Sequence, residues 1–83
     1  MINLRSKLHL ALFGYYLKNP EAEHYLRELS RLLSFNAAYL SRELNKFVRQ
    51  GLFLSRRDGK EKYFRINRKH RLFNELRAFL WKL

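Results

Sequence analysis

Eighty-three residues make one small domain, which buries only about 60% of the surface its unfolded chain exposes and is marginal without further support. The chain has no cysteine, which excludes a disulfide framework and a thiolate metal site, and no apolar run approaches the roughly 18 residues of a membrane span. Lys and Arg number 18 against 7 Asp and Glu, a formal charge of +11, and residues 42–71 hold eleven of the cations but three of the acids, a net +8. A one-signed excess concentrated in this way favours a polyanionic partner, nucleic acid ahead of an acidic membrane surface or an acidic protein. Met1 is followed by no cationic leader and long apolar core, so the expected location is the cytoplasm, in association with the nucleoid.

In chain order, the first helix is expected over about residues 4–18, with Asn3 as its N-cap and Asn19-Pro20 as its stop, because a residue before proline is pushed out of helical geometry. Its apolar residues, among them Leu4, Leu8, Leu12 and Tyr15, cover more than the single stripe a small core requires. That excess predicts a second contact, most simply another subunit. His24-Tyr25 reads as a brief strand. A compact helix follows over residues 26–33, with Leu26, Leu29 and Leu33 spaced i, i+3 and i+7, and Ser34-Phe35-Asn36 makes a turn. Asn36 is a good N-cap for a third helix, and Phe35 before it can staple onto Leu40. Gly51 ends that helix where a left-handed residue is wanted.

Placed at about 100° per residue, Leu40, Leu44 and Phe47 of the third helix share one side. Ala38, Arg42, Asn45 and Arg49 fall opposite, with Tyr39 and Lys46 on one flank and Ser41 on the other. A helix in a major groove needs this division: small residues near its start, here Ala37 and Ala38, allow close approach and touch thymine methyls, while longer polar residues reach base edges or phosphates. Arg42 can fork onto guanine, Asn45 can pair with adenine or hold a phosphate, and Arg49 suits a phosphate. The competing reading is an ordinary amphipathic helix with a wet face.

Residues 52–57 and 60–66 read as two strands on aromatic content and partial alternation, with Asp58-Gly59 as the hairpin signal. Arg56, Arg57, Lys60 and Lys62 surround the tip, where they serve no core. Beside a recognition helix they reach the neighbouring minor groove or its phosphates; the competing reading is edge-strand protection by charge. A last helix starts near residue 71 and runs to the end, with Leu72, Phe73, Leu76, Phe79, Leu80, Trp81 and Leu83 as its apolar set. The expected fold is therefore mainly α with a small β-hairpin, a single winged helix-turn-helix domain over residues 1–83: helix-turn-helix about 26–50, wing about 52–66. The terminal helices, 4–18 and 71–83, are expected to form a two-fold dimer through Leu8, Leu12, Tyr15, Leu72, Phe73, Leu76, Phe79 and Leu80.

Four segments, Tyr25-Leu-Arg-Glu-Leu-Ser-Arg-Leu-Leu33, Tyr39-Leu-Ser-Arg-Glu-Leu44, Gly51-Leu-Phe-Leu-Ser-Arg-Arg-Asp-Gly59 and Lys62-Tyr-Phe-Arg-Ile-Asn67, together resemble the ArsR-type winged-helix transcriptional regulators. The resemblance covers about residues 4–80. It implies dimers formed through the terminal helices, operator binding through the third helix, and repression of nearby genes. It extends to winged-helix modules encoded beside nucleotidyltransferases or fused to them. Metal-sensing members use cysteines or His and acidic clusters, whereas His9, His24 and His70 are scattered here, with His70 and Glu75 the only loose pair; no metal is expected. No catalytic constellation, phosphate-cradling glycine loop or cofactor signature is present, so the chain reads as a non-enzyme. Its expected partners are double-stranded DNA and a second copy of itself. A protein-interaction or accessory module and an RNA-binding domain are the alternatives, separable by the salt dependence of duplex binding and by competition with A-form duplex or single strands.

Overall fold

Six consecutive pairs hold two strands together: Phe53 faces Ile66, Ser55 faces Phe64 and Arg57 faces Lys62, with Leu54–Arg65, Arg56–Tyr63 and Asp58–Glu61 between them. Side chains alternate across a strand, so the first three pairs share one sheet face and the other three the opposite one. Phe53, Phe64 and Ile66 are buried, which makes theirs the inner face. The computed structural model describes residues 2, 3 and 5–81. Its elements are α1 (Lys7–Lys18), β1 (His24–Tyr25), α2 (Leu26–Leu33), α3 (Ala37–Arg49), β2 (Phe53–Asp58), β3 (Glu61–Ile66) and α4 (Phe73–Trp81). The sheet is antiparallel in the order β1-β3-β2, so the expected hairpin is part of a three-stranded sheet with β3 at its centre. The architecture is an α/β domain of four helices and one small sheet. No helix among the described residues is long and apolar enough to cross a membrane.

Local chemistry explains most boundaries. The α1 helix begins three residues later than expected: Ser6, not Asn3, is its N-cap, its hydroxyl accepting from the His9 N–H at 3.2 Å. The Asn3 N–H is instead given to His9 Nδ1 at 2.8 Å. Asn36 caps α3 as its sequence position predicts, accepting from the Tyr39 N–H at 3.1 Å. At the other end Gly51 takes φ +76°, and the Leu52 N–H reaches Phe47 O at 2.9 Å while the Gly51 N–H reaches Val48 O at 3.0 Å. These are the two bonds of a Schellman motif, with buried Leu52 and Phe47 as its apolar pair. Between β2 and β3 the two-residue turn is Gly59-Lys60 rather than Asp58-Gly59, because Asp58 is paired with Glu61. Only Gly59 has positive φ there, +63°, the pattern of a type II′ hairpin with glycine first.

The core lies between α1, α3 and the inner sheet face. Leu8, Leu12, Phe13, Tyr16, Leu17, Leu29, Leu40, Leu44, Phe47 and Phe53 are at most 3% exposed. Phe13 stands edge-on to Phe47 and Phe53, with ring centroids 4.9 and 5.4 Å away, and Tyr16 edge-on to Phe53 at 5.0 Å. This core absorbs most of the apolar excess of α1. Leu8, Leu12 and Phe73, expected to face a partner, are instead buried within the chain itself, because two adjacent columns of α1 rather than one face inward. Tyr15 is half-buried and gives its hydroxyl to His24. Leu72 and Leu76 are half-buried and Phe79 is 49% exposed. The side chains of Leu80 and Trp81, together with Leu4 and Leu83, lie outside the described residues.

Candidate nucleic-acid interface

The α3 helix presents its residues as its periodicity predicts, with one addition. Leu40, Leu44 and Phe47 are buried, and so is Glu43, at 9% exposure. Ala38, Tyr39, Arg42, Lys46 and Arg49 are exposed; Ala37, Ser41 and Asn45 are half-buried. The Arg42 guanidinium lies 5.5 Å from the centre of the Tyr39 ring, one turn back along the helix.

Beyond their apolar packing in the core, one side-chain hydrogen bond among the described residues joins helix and hairpin. Lys62 Nζ donates to Asn45 Oδ1 at 3.0 Å, across seventeen residues of chain. Arg57 is the strand partner of Lys62 and shares its side of the sheet, so both project on the α3 side. Residues 55–60 are all exposed, which carries the distal half of the hairpin beyond the core. Asn45, Lys62 and Arg57 therefore share one side of the molecule; Ala38, Arg42 and Arg49 are exposed on the same helix as Asn45, with Ala37, Ser41, Tyr39 and Lys46 along its flanks, and Lys60 is exposed in the turn.

Arg56 is the exception. It alternates onto the outer sheet face, where the Glu23 carboxylate accepts from its Nε at 3.0 Å and from its terminal nitrogen at 2.7 Å. Its guanidinium also sits 4.7 Å over the Tyr63 ring. Arg65 approaches the same carboxylate at 3.9 Å, and Arg27 pairs with Glu61 at 2.7 Å. The hydrogen bond from Arg56 holds the Glu23 carboxyl below the usual carboxylate range, and the same pairing raises the arginine. Arg56 thus leaves the surface that α3 shares with Arg57 and Lys62. Among the described residues no carboxylate lies within ion-pair distance of Arg42, Arg49, Arg57, Lys60 or Lys62, whereas the outer face has Glu21, Glu23, Asp58 and Glu61 among its arginines.

Two polar constellations went unread in the sequence, because their members are far apart along the chain or carry no motif. Glu43 accepts from His9 Nε2 at 2.8 Å and from Lys46 Nζ at 3.1 Å. Because the Asn3 N–H occupies His9 Nδ1, the ring proton is on Nε2. The His9 hydrogen bond, helped by Lys46, pulls the Glu43 carboxyl below its ordinary range despite the opposing effect of burial. The second constellation joins Tyr15, His24 and Glu28: Nδ1–H of His24 is given to Glu28 at 3.2 Å, and the same carboxylate accepts the Tyr25 N–H. The i, i+4 spacing of His24 and Glu28 is its one local signal. Neither carries a metal cluster; no group of three or more potential ligands exists among the described residues. His70 uses Nδ1 to accept the Leu72 N–H at 3.1 Å.

Matched against protein-family models, curated proteins and solved structures, the chain finds no relative.

Proposed function

We propose that this chain is a winged-helix domain that binds double-stranded DNA, a regulator of the ArsR-like kind acting as a homodimeric repressor. In this reading α2, its turn and α3 form the helix-turn-helix, and α3 lies in the major groove. The β2–β3 hairpin is the wing, laid on adjacent minor groove or phosphates. The observation that carries the reading is the Lys62–Asn45 bond, because it makes the cationic side of the hairpin continuous with the polar side of α3. The distribution of ion pairs supports it: among the described residues Arg42, Arg49, Arg57, Lys60 and Lys62 lack carboxylate partners, whereas Arg56 and Arg65 on the outer face share Glu23. A surface arranged only for solubility has no need to sort its ion pairs by face. For the dimer, the apolar surface left after the core is filled, Leu72, Leu76 and Phe79 beside α1, is the candidate contact. Two copies of α3 about one duplex turn apart would favour a palindromic site.

Titration of a random duplex between about 50 and 200 mM salt tests the reading, with log K expected to fall linearly against log salt by about 0.9 per phosphate engaged. Affinity indifferent to salt would overturn it and favour a protein-interaction module. Stronger competition by single strands or A-form duplex would favour RNA.

A further inference from the structure

A lysine ammonium has hydrogens to give and nothing with which to accept. The atom of Asn45 that meets Lys62 Nζ at 3.0 Å is therefore the carbonyl Oδ1, and the orientation of the amide is settled by chemistry. Reading adenine makes a claim on that same oxygen: Oδ1 must accept from N6–H while Nδ2 donates to N7. Here the ammonium already takes one of the oxygen's two lone pairs, and its remaining hydrogens beside that oxygen would meet those of N6. The Asn45 Nδ2 group has no acceptor among the described residues, and none of their buried side-chain nitrogens or oxygens lacks a partner, so Nδ2 is open to solvent. Lys62 Nζ stands 5.5 Å from the Phe64 ring, which backs the pair with an apolar surface.

What the pair shows to the outside is mainly donors: two hydrogens on Nδ2, two more on Nζ, and a positive charge, against the one remaining lone pair of Oδ1. We propose that Asn45 and Lys62 form one clamp for a single phosphate oxygen of duplex DNA, bridging helix and hairpin, and that Asn45 is not a base reader. The proposal rests on the DNA-binding reading above and sharpens it. A phosphate oxygen fits better than the acceptor edge of guanine, because it is charged. Asn45 is also half-buried against the hairpin, while Ala38, Arg42 and Arg49 are exposed. Arg57, opposite Lys62 on the same side of the sheet, continues the donor row along the wing.

The test compares wild type with Asn45→Ala, Asn45→Asp and Lys62→Met, each checked for an unchanged melting profile. Binding to a random duplex is measured at several salt concentrations, and preferred sequences are selected from a random pool. Asn45→Ala should weaken binding to every duplex by a similar factor, roughly tenfold, and leave the selected sequence unchanged. Lys62→Met should lower the salt slope by about 0.9. Asn45→Asp, which can still hold Lys62 but offers no donor, should bind more weakly than Asn45→Ala. A base preference relaxed at one position by Asn45→Ala would make Asn45 a base reader and overturn the clamp while leaving the DNA reading intact. So would variants that bind as wild type does. A wild type that binds no duplex at all would bring down both.

Discussion

A carboxylate buried in a core of this size needs partners to stay charged, and Glu43 has two, the Nε2–H of His9 and the Nζ of Lys46. Its carboxyl is held below the ordinary range. The stability it contributes is accordingly complete above the unfolded glutamate value, about 4.3, and is lost as pH falls through the lower folded value. Melting temperature is expected to drop on acidification below that point, and the drop should shrink in Glu43→Gln, which keeps the shape without the charge; thermal scans from about pH 6 to pH 3 check this. The arginines separate at the same scale. Arg57→Ala should lower the slope of log K against log salt by about 0.9, because Arg57 shares a side with Lys62. Arg56→Ala should leave that slope near wild type, because Glu23 already holds its guanidinium. Arg42→Ala should relax base preference at one position per half-site, costing roughly 1–3 kcal/mol in a binding-site selection followed by titration.

The helices and their ends were largely legible in the sequence because caps are local. Asn36 and Gly51 sit where the apolar periodicity starts and stops, and a side-chain oxygen at one end and a positive φ at the other are needs that neighbouring residues reveal. Gly51→Ala would put a Cβ 3.6 Å from His70 Cδ2, an ordinary contact. Its penalty is therefore conformational, about 1–2 kcal/mol, seen as a fall in melting temperature. Gly14 is the converse case, since a Cβ there would meet nothing within 4 Å. Gly14→Ala in the middle of α1 should raise stability by roughly 0.5–1 kcal/mol. Where local reading slipped, it was on ties. Asn3 and Ser6 are equally good caps by type, and His9 chose between them by taking the Asn3 N–H. Asp58-Gly59 and Gly59-Lys60 are both good two-residue turns by type, and both keep Phe53, Phe64 and Ile66 on one sheet face; the observed pairing of Phe53 with Ile66 leaves Gly59 first.

At the scale of the whole molecule, the unequal pairing of cations on the two faces of one thin sheet matters more than the total of +11. The same alternation that sends Phe53, Phe64 and Ile66 inward sends Arg57 and Lys62 to the α3 side and Arg56 and Arg65 to the other. Composition and periodicity alone determined the helices, the hairpin, the basic excess and which side of α3 is wet, because each depends on residues within a few turns of one another. Only the tertiary structure decided that Asn45 meets Lys62, that Glu23 withdraws Arg56, that Glu43 pairs with His9, and that Leu8, Leu12 and Phe73 fill the chain's own core. Those contacts join residues 17 to 34 positions apart in the three hydrogen-bonded cases, and no local pattern encodes which distant partner a long polar side chain will reach once the core has set the angle between its elements.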